Sequence, residues 1–257
     1  MLFGNAIPIH EEYGVFSFAW AGNYPGESMF ESHNIMTESK NLFEGRDRIH
    51  AMGVWNSVPI NLVVADTSGN IGYMLLSASP QRKNEYPYLG CHILDGTTSE
   101  HDWEGIVDVK TLPRGFNPEK GYYVTANQRI VPENSKFDIG ASMVNTGRSV
   151  RIDQLLSEGI KQGKKFDAND MLKIQGDLVD VYARDSVPKI VSIANKVIKS
   201  PSHGLSKEEA SDITSMLDLL KDFKGEFVLE SIGASVYSYW FHLFHQSLLS
   251  DYTHKGK

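Results

Sequence analysis

The spacing of apolar positions changes once along this chain, and the change divides it in two. In the first part, short runs of β-branched and aromatic residues alternate with turn formers, the texture of sheet with long connections. The clearest case spans residues 61–73. Leu62, Val63 and Val64 suit a strand, and Asp66, Thr67, Ser68, Gly69 and Asn70 form a turn cluster in which Gly69 is available for positive φ. Ile71, Tyr73, Leu75 and Leu76 then resume the apolar run, so the segment predicts a β-hairpin. Before it, Leu42, Phe43, Ile49 and Met52 recur at helical spacing and predict a helix within residues 39–53. Residues 121–127, with Tyr122, Tyr123 and Val124, predict a further short strand.

From Arg148 the period becomes helical. Ile152, Leu155, Leu156 and Ile160 make one stripe, closed by Gly163. Asp167 is placed to cap a second helix carrying Met171, Ile174, Leu178 and Val181, which Pro188 in Ser186-Val187-Pro188 is expected to end or kink. Ser206 with Glu209 forms a capping box for a third helix with Ile213, Met216, Leu219 and Leu220. Residues 230–249 form a fourth, in which Tyr237, Tyr239, Trp240, Phe241 and Phe244 suit a core or an uncovered interface. Sheet first and helices later make the class α+β, divided as residues 1–147 and 148–257.

Composition adds bounds. At 41% hydrophobic and 22% charged, the 257 residues are those of an ordinary globular protein, and a formal charge of −7 gives no reason to expect nucleic acid. The basic residues Lys161, Lys164 and Lys165 sit near a helix end and suit a solvated face. No apolar run is long enough to span a bilayer, and the first residues lack the charge and apolar core of a signal peptide. The compartment stays open. The single cysteine, Cys91, excludes an internal disulfide framework and suits a structural thiol better than a nucleophile. His242 and His245 share a helix face but lack a third ligand or companion glutamate, which argues against zinc.

After the hairpin come, in order, Pro80-Gln81-Arg82, Asp102-Trp103-Glu104-Gly105, Asn117-Pro118, Gly121-Tyr122 and Ala126-Asn127-Gln128-Arg129. Gly147-Arg148 then leads into Arg151-Ile152-Asp153-Gln154-Leu155-Leu156. Each piece is weak alone. The ordered series resembles the β-chain of the penicillin acylase family of N-terminal-nucleophile amidohydrolases, over residues 15–160 most closely. The resemblance implies part of a four-layer αββα sandwich with a helical extension, and hydrolysis of a linear amide in a small-molecule substrate.

In that family the attacking residue is freed at a chain N-terminus, its own α-amino group acts as base, and a backbone N–H and an asparagine amide hold the oxyanion. Asn127 matches that asparagine and Arg148 the arginine that orients groups around the nucleophile, although Arg151 lies close enough to compete for the assignment. Arg129 suits bracing its strand end or shaping a substrate mouth. Asp66 and Asn70 invite a catalytic pairing, but Asx residues in tight turns bond their own backbone, and Trp103 and Phe116 suit packing better than a substrate wall. No cofactor is implied with certainty. The resemblance admits a structural calcium, with Asp138 matching one ligand.

No segment matches the family's nucleophile. Ser57 follows Trp55-Asn56 in reversed order, and no Gly-x-Ser-x-Gly elbow supports an α/β-hydrolase. Two readings stay open. The chain is a piece of an acylase whose nucleophile-bearing and α-chain segments come from the same precursor, or it is a degenerate, non-catalytic relative that binds a ligand or partner.

Overall fold

The computed structural model describes residues 6–10, 14–23, 29–53, 56, 58–83, 90, 93–132, 146–202 and 204–253. The chain forms two compact units, Met1–Asn145 and Thr146–Lys257.

Unit 1 is organised by a three-stranded antiparallel sheet in the order β3–β4–β7, comprising β3 (Ile60–Ala65), β4 (Ile71–Leu76) and β7 (Arg114–Phe116). It also holds a β1–β2 pair, Ala6–His10 with Gly14–Ser17, and a β5–β6 pair, Pro80–Arg82 with Trp103–Ile106. The predicted hairpin is β3–β4, with Leu62 opposite Met74 and Ile60 opposite Leu76. As the middle strand, β4 has neighbours on both edges and is buried on both faces, from Gly72 to Leu76. Two helices, α1 (Met29–Glu38) and α2 (Leu42–Met52), contribute Ile35 and Ile49 to a core with Leu62, Met74, Leu76, Val109 and Leu112.

The expected helix within 39–53 is α2. Asn41 caps it by accepting from the Phe43 and Glu44 amides, and Gly53 closes it in the left-handed conformation at φ 67°. Its buried line is Leu42, Gly45 and Ile49, and Met52 lies outside at 57% exposure. The predicted strand at 121–127 does not form. The Gln128 side chain takes the Val124 carbonyl and the Ala126 amide, two groups that a strand ladder would use.

Unit 2 is helical: α3 (Gly147–Lys161), α4 (Ala168–Gln175), α5 (Val181–Ile198), α6 (Lys207–Leu220) and α7 (Ile232–Thr253). Reciprocal capping boxes open α3 at Thr146/Ser149, α4 at Asp167/Asp170 and α6 at Ser206/Glu209. The stripe predicted from Met171 to Val181 spans two helices. Past α4, the backbone at Leu178 and Asp180 pairs with residues 225–227, removing the groups a continuing helix needs. Gly225 makes this possible. It lies at φ 80°, and a Cβ there would sit 2.5 Å from the Asp180 carbonyl oxygen.

Pro188 neither ends nor divides its helix, because α5 runs through it. An interior proline costs about 3 kcal/mol, and burial offsets it. Val181, Ala183 and Val187 are each at most 2% exposed, and Ala183 and Val187 pack with Leu220 and Tyr237. On α6 the buried positions are Leu217 and Leu220, while Met216 and Leu219 are 39% and 47% exposed. On α7 the aromatic residues divide. Tyr237 belongs to the core, and Tyr239, Phe241 and Phe244 are exposed.

Candidate functional site

The β3–β4 turn is closed by Asp66. Its carboxylate accepts from the backbone amides of Ser68 at 2.9 Å, Asn70 at 3.0 Å and Leu42 at 3.3 Å. The Asn70 side-chain amide donates to both of its oxygens. The Asn70 amide, with these backbone donors, holds the carboxyl below the usual carboxylate range. Asp66 and Asn70 are structural residues of the turn.

Asn70 also carries the connection onward. Its side-chain oxygen accepts from Asn117 Nδ2 at 3.0 Å, and Asn117 Oδ1 accepts from the Ile71 amide at 2.9 Å. The Asn117 amide donates in turn to the Ile71 carbonyl, also at 2.9 Å. Asn117 adopts φ 46°, a left-handed conformation that asparagine tolerates better than most side chains. Nothing in the local sequence marks this bridge, which joins residues 46 apart.

From Asn117 the chain turns at Pro118, where the Gly121 amide donates to the Pro118 carbonyl. Tyr123 then lies against Tyr73, with ring centroids 5.8 Å apart. Tyr73 is buried, its hydroxyl donates to Asn61, and burial pushes its pKa up. Gln128 folds back over the next turn, accepting from the Ala126 amide and donating to the Val124 carbonyl, both at 2.6 Å. Between them Asn127 stands exposed in the left-handed conformation at φ 64°. The motifs behind β4 also meet: Arg82 lies opposite Trp103 in the β5–β6 pair, its guanidinium 5.8 Å from the ring centroid. Phe116 packs on the sheet core beside Phe43, and Arg129 reaches the Pro132 carbonyl at 3.5 Å.

Asn127 belongs to unit 1, and Arg148 lies in unit 2 on the first turn of α3. Its neighbour Arg151 is committed elsewhere. Nε and Nη2 of Arg151 donate to the two oxygens of Asp177 at 2.8 and 2.7 Å, and the two side chains are only 20% and 18% exposed. The Arg151 guanidinium holds the Asp177 carboxyl below its ordinary value. Arg148 is exposed and lines a cleft of about 600 Å³ with Ile152, Leu155, Ile174, Leu178 and Tyr182. Both arginines line this cleft with Asp177, and Arg151 is the one whose guanidinium bonds α3 to the residues after α4.

The calcium ligand suggested by Asp138, the thiol of Cys91 and the Ser57 hydroxyl lie outside the described residues. Among the described residues no group of three or more His, Cys, Asp or Glu is arranged to hold a metal ion. His242 and His245 are exposed on α7. No helix among the described residues is long and apolar enough to cross a membrane.

The family model for penicillin amidase matches residues 4–255. The chain belongs to the penicillin amidase family. Among its relatives, the acyl-homoserine lactone acylase QuiP of Pseudomonas fluorescens (strain Pf0-1) is 26% identical over 70% of this chain. The penicillin acylase 2 proenzyme of Pseudomonas sp. (strain SE83) is 34% identical over 31% of it. The chain spans 21% of the length of the first and 10% of the second. Among solved structures, a thermostable penicillin G acylase from Alcaligenes faecalis has a TM-score of 0.51 at 22% identity, covering 76% of this chain and 32% of that one. That likeness gives the fold alone, the α+β fold of penicillin G acylase, with sheets in the first unit and helices in the second.

Proposed function

We propose that this penicillin amidase family chain supplies the oxyanion side of an amidohydrolase acting on a linear amide in a small molecule, with Asn127 as side-chain donor. The attacking residue comes from a nucleophile-bearing segment of the same precursor, which these 257 residues do not match. The observation that carries the reading is the conformation at Asn127: an exposed asparagine on a left-handed turn that follows Tyr123, whose ring packs on Tyr73 of the hairpin. A neutral amide donor favours the charged tetrahedral intermediate over the neutral substrate carbonyl, which is what lowers the barrier. Arg148 is assigned to orienting the groups around the attacking amine, since a fixed guanidinium offers several donors in one plane.

The test is hydrolysis of a chromogenic N-acyl anilide. The 257-residue chain is assayed alone and after reconstitution with the nucleophile-bearing segments of a family relative. We expect no turnover alone, and turnover on reconstitution that Asn127→Ala lowers by roughly 100- to 1000-fold. A rate from the chain alone that survives Asn127→Ala and follows one of its internal serines overturns the proposal. Binding of an acyl ligand with no turnover in any reconstituted form supports a non-catalytic relative instead.

A further inference from the structure

The side chain that holds Asn127 in place is not in the family's hairpin but next to Asn127 itself. The Gln128 carboxamide accepts from the Ala126 amide and donates to the Val124 carbonyl, each at 2.6 Å. Those two backbone groups flank Thr125, and one amide spanning them reproduces the bonds that a residue of a parallel neighbouring strand would make. The amide orientation is fixed by its partners, because a flipped carboxamide would set NH₂ against N–H and oxygen against oxygen. Ala126, 5% exposed, anchors one end of this ring in the interior.

Closing the ring constrains the residue between Ala126 and Gln128. Asn127 sits at φ 64°, a left-handed conformation that asparagine adopts more readily than most side chains but that still competes with the ordinary ones unless surrounding bonds favour it. We infer that Gln128 is a positioning residue that clamps residues 124–128 and so holds Asn127 in its left-handed backbone conformation. The inference rests on Asn127 as oxyanion donor for its consequence in catalysis, but the clamp itself is a property of this chain. Gln128 needs no contact with substrate. It acts through the turn.

Two measurements test it. On the 257-residue chain, Gln128→Ala should speed hydrogen exchange at the Ala126 amide by about tenfold, the effect of losing one hydrogen bond. Exchange at Met74, in the sheet core, should stay unchanged and so reports that the variant is folded. Gln128→Glu keeps an acceptor for Ala126 but loses the donor to Val124, and should fall between the two. Unchanged exchange at Ala126 in Gln128→Ala overturns the clamp.

In the reconstituted hydrolase, Gln128→Ala should lower kcat by roughly 10- to 100-fold with KM unchanged, because misplacing a donor weakens the transition state and not the ground state. The same change on top of Asn127→Ala should have no further effect, since nothing remains to be positioned. An equal loss in both backgrounds makes Gln128 merely structural and overturns the inference. If Asn127→Ala alone leaves the rate untouched, the oxyanion assignment fails, and the exchange experiment still decides the clamp.

Discussion

The helix caps of unit 2 and the loop Asx side chains of unit 1 act over different distances. In unit 2 the helix-capping groups act locally: Thr146 with Ser149, Asp167 with Asp170, Ser206 with Glu209, and Asp180 with the amides of Tyr182 and Ala183. In unit 1 the caps Asn41 and Asp108 are local as well, but other Asx side chains reach across the chain. Asp66 holds the Leu42 amide 24 residues away, and Asn117 holds Ile71 and Asn70 at separations of 46 and 47. Local caps stabilise elements that helical propensity and packing already favour. The long-range Asx bonds instead set where loops lie, and in unit 1 they lead to the turn that presents Asn127. A unit built mainly from loops and short strands needs such bonds, because its backbone groups have fewer regular partners.

The largest test of this contrast is in the sheet core. Leu76 is fully buried among Leu62, Met74 and Val109, and Leu76→Ala should destabilise unit 1 by about 3 kcal/mol. Exchange should rise at the amides of β3 and β4 and stay unchanged on α5, whose core residues form a separate cluster. Equal acceleration in both units would mean that they unfold as one cooperative body.

A smaller effect sharpens the claim about long-range bonds. Asn117→Ala removes the acceptor for Ile71 and the donor to Asn70, and leaves a left-handed residue without asparagine's tolerance for that conformation. Denaturant unfolding should show a loss of about 2 kcal/mol. Asn117→Gly relieves the backbone but not the bonds and should recover part of that loss. If glycine recovers all of it, the hydrogen bonds contribute nothing and the contrast with unit 2 is one of backbone conformation only.

The smallest effect is on acid response at the turn. The Asp66 carboxyl is lowered in the folded protein, chiefly by the Asn70 side chain, so the unfolded chain takes up its proton first as pH falls. Its contribution is complete above about pH 4, the unfolded carboxylate value, and is lost as pH drops through the lower folded value. Amide chemical shifts of Ser68 and Asn70, followed by NMR, should titrate together with a midpoint below that of an unstructured aspartate. A midpoint at or above the ordinary value would remove Asp66 as the organiser of the turn.

Much of this was legible in the chain. The β3–β4 hairpin, a helix within residues 39–53 and the starts at Asp167 and Ser206 all follow from patterns within a few residues. The ordered motifs also led to the family. Elsewhere the structure departs from local pattern, where a partner distant in sequence or a neighbouring side chain took the backbone groups or offset a local cost. Residues 121–127 are no strand because Gln128 occupies the groups of Val124 and Ala126. The stripe from Met171 to Val181 is broken by pairing with residues 225–227, and Pro188 sits inside α5 because Val187 and Ala183 are buried beside Leu220 and Tyr237.

Arg148 and Arg151 show the same division. Both stand at a helix start in the sequence, and nothing there separates them. Asp177, 26 residues on, takes Arg151 into a two-bond ion pair at the wall of the cleft that Arg148 also lines. Residue types at short fixed spacings are enough to give the hairpin, the caps at Asp167 and Ser206 and the family. Only the tertiary structure decided which polar group meets which, and with it the Asn117 bridge, the Gln128 clamp and the left-handed setting of Asn127. A hydrogen bond requires two groups within about 3 Å, and the folded path of the chain, not spacing along it, brings distant groups that close.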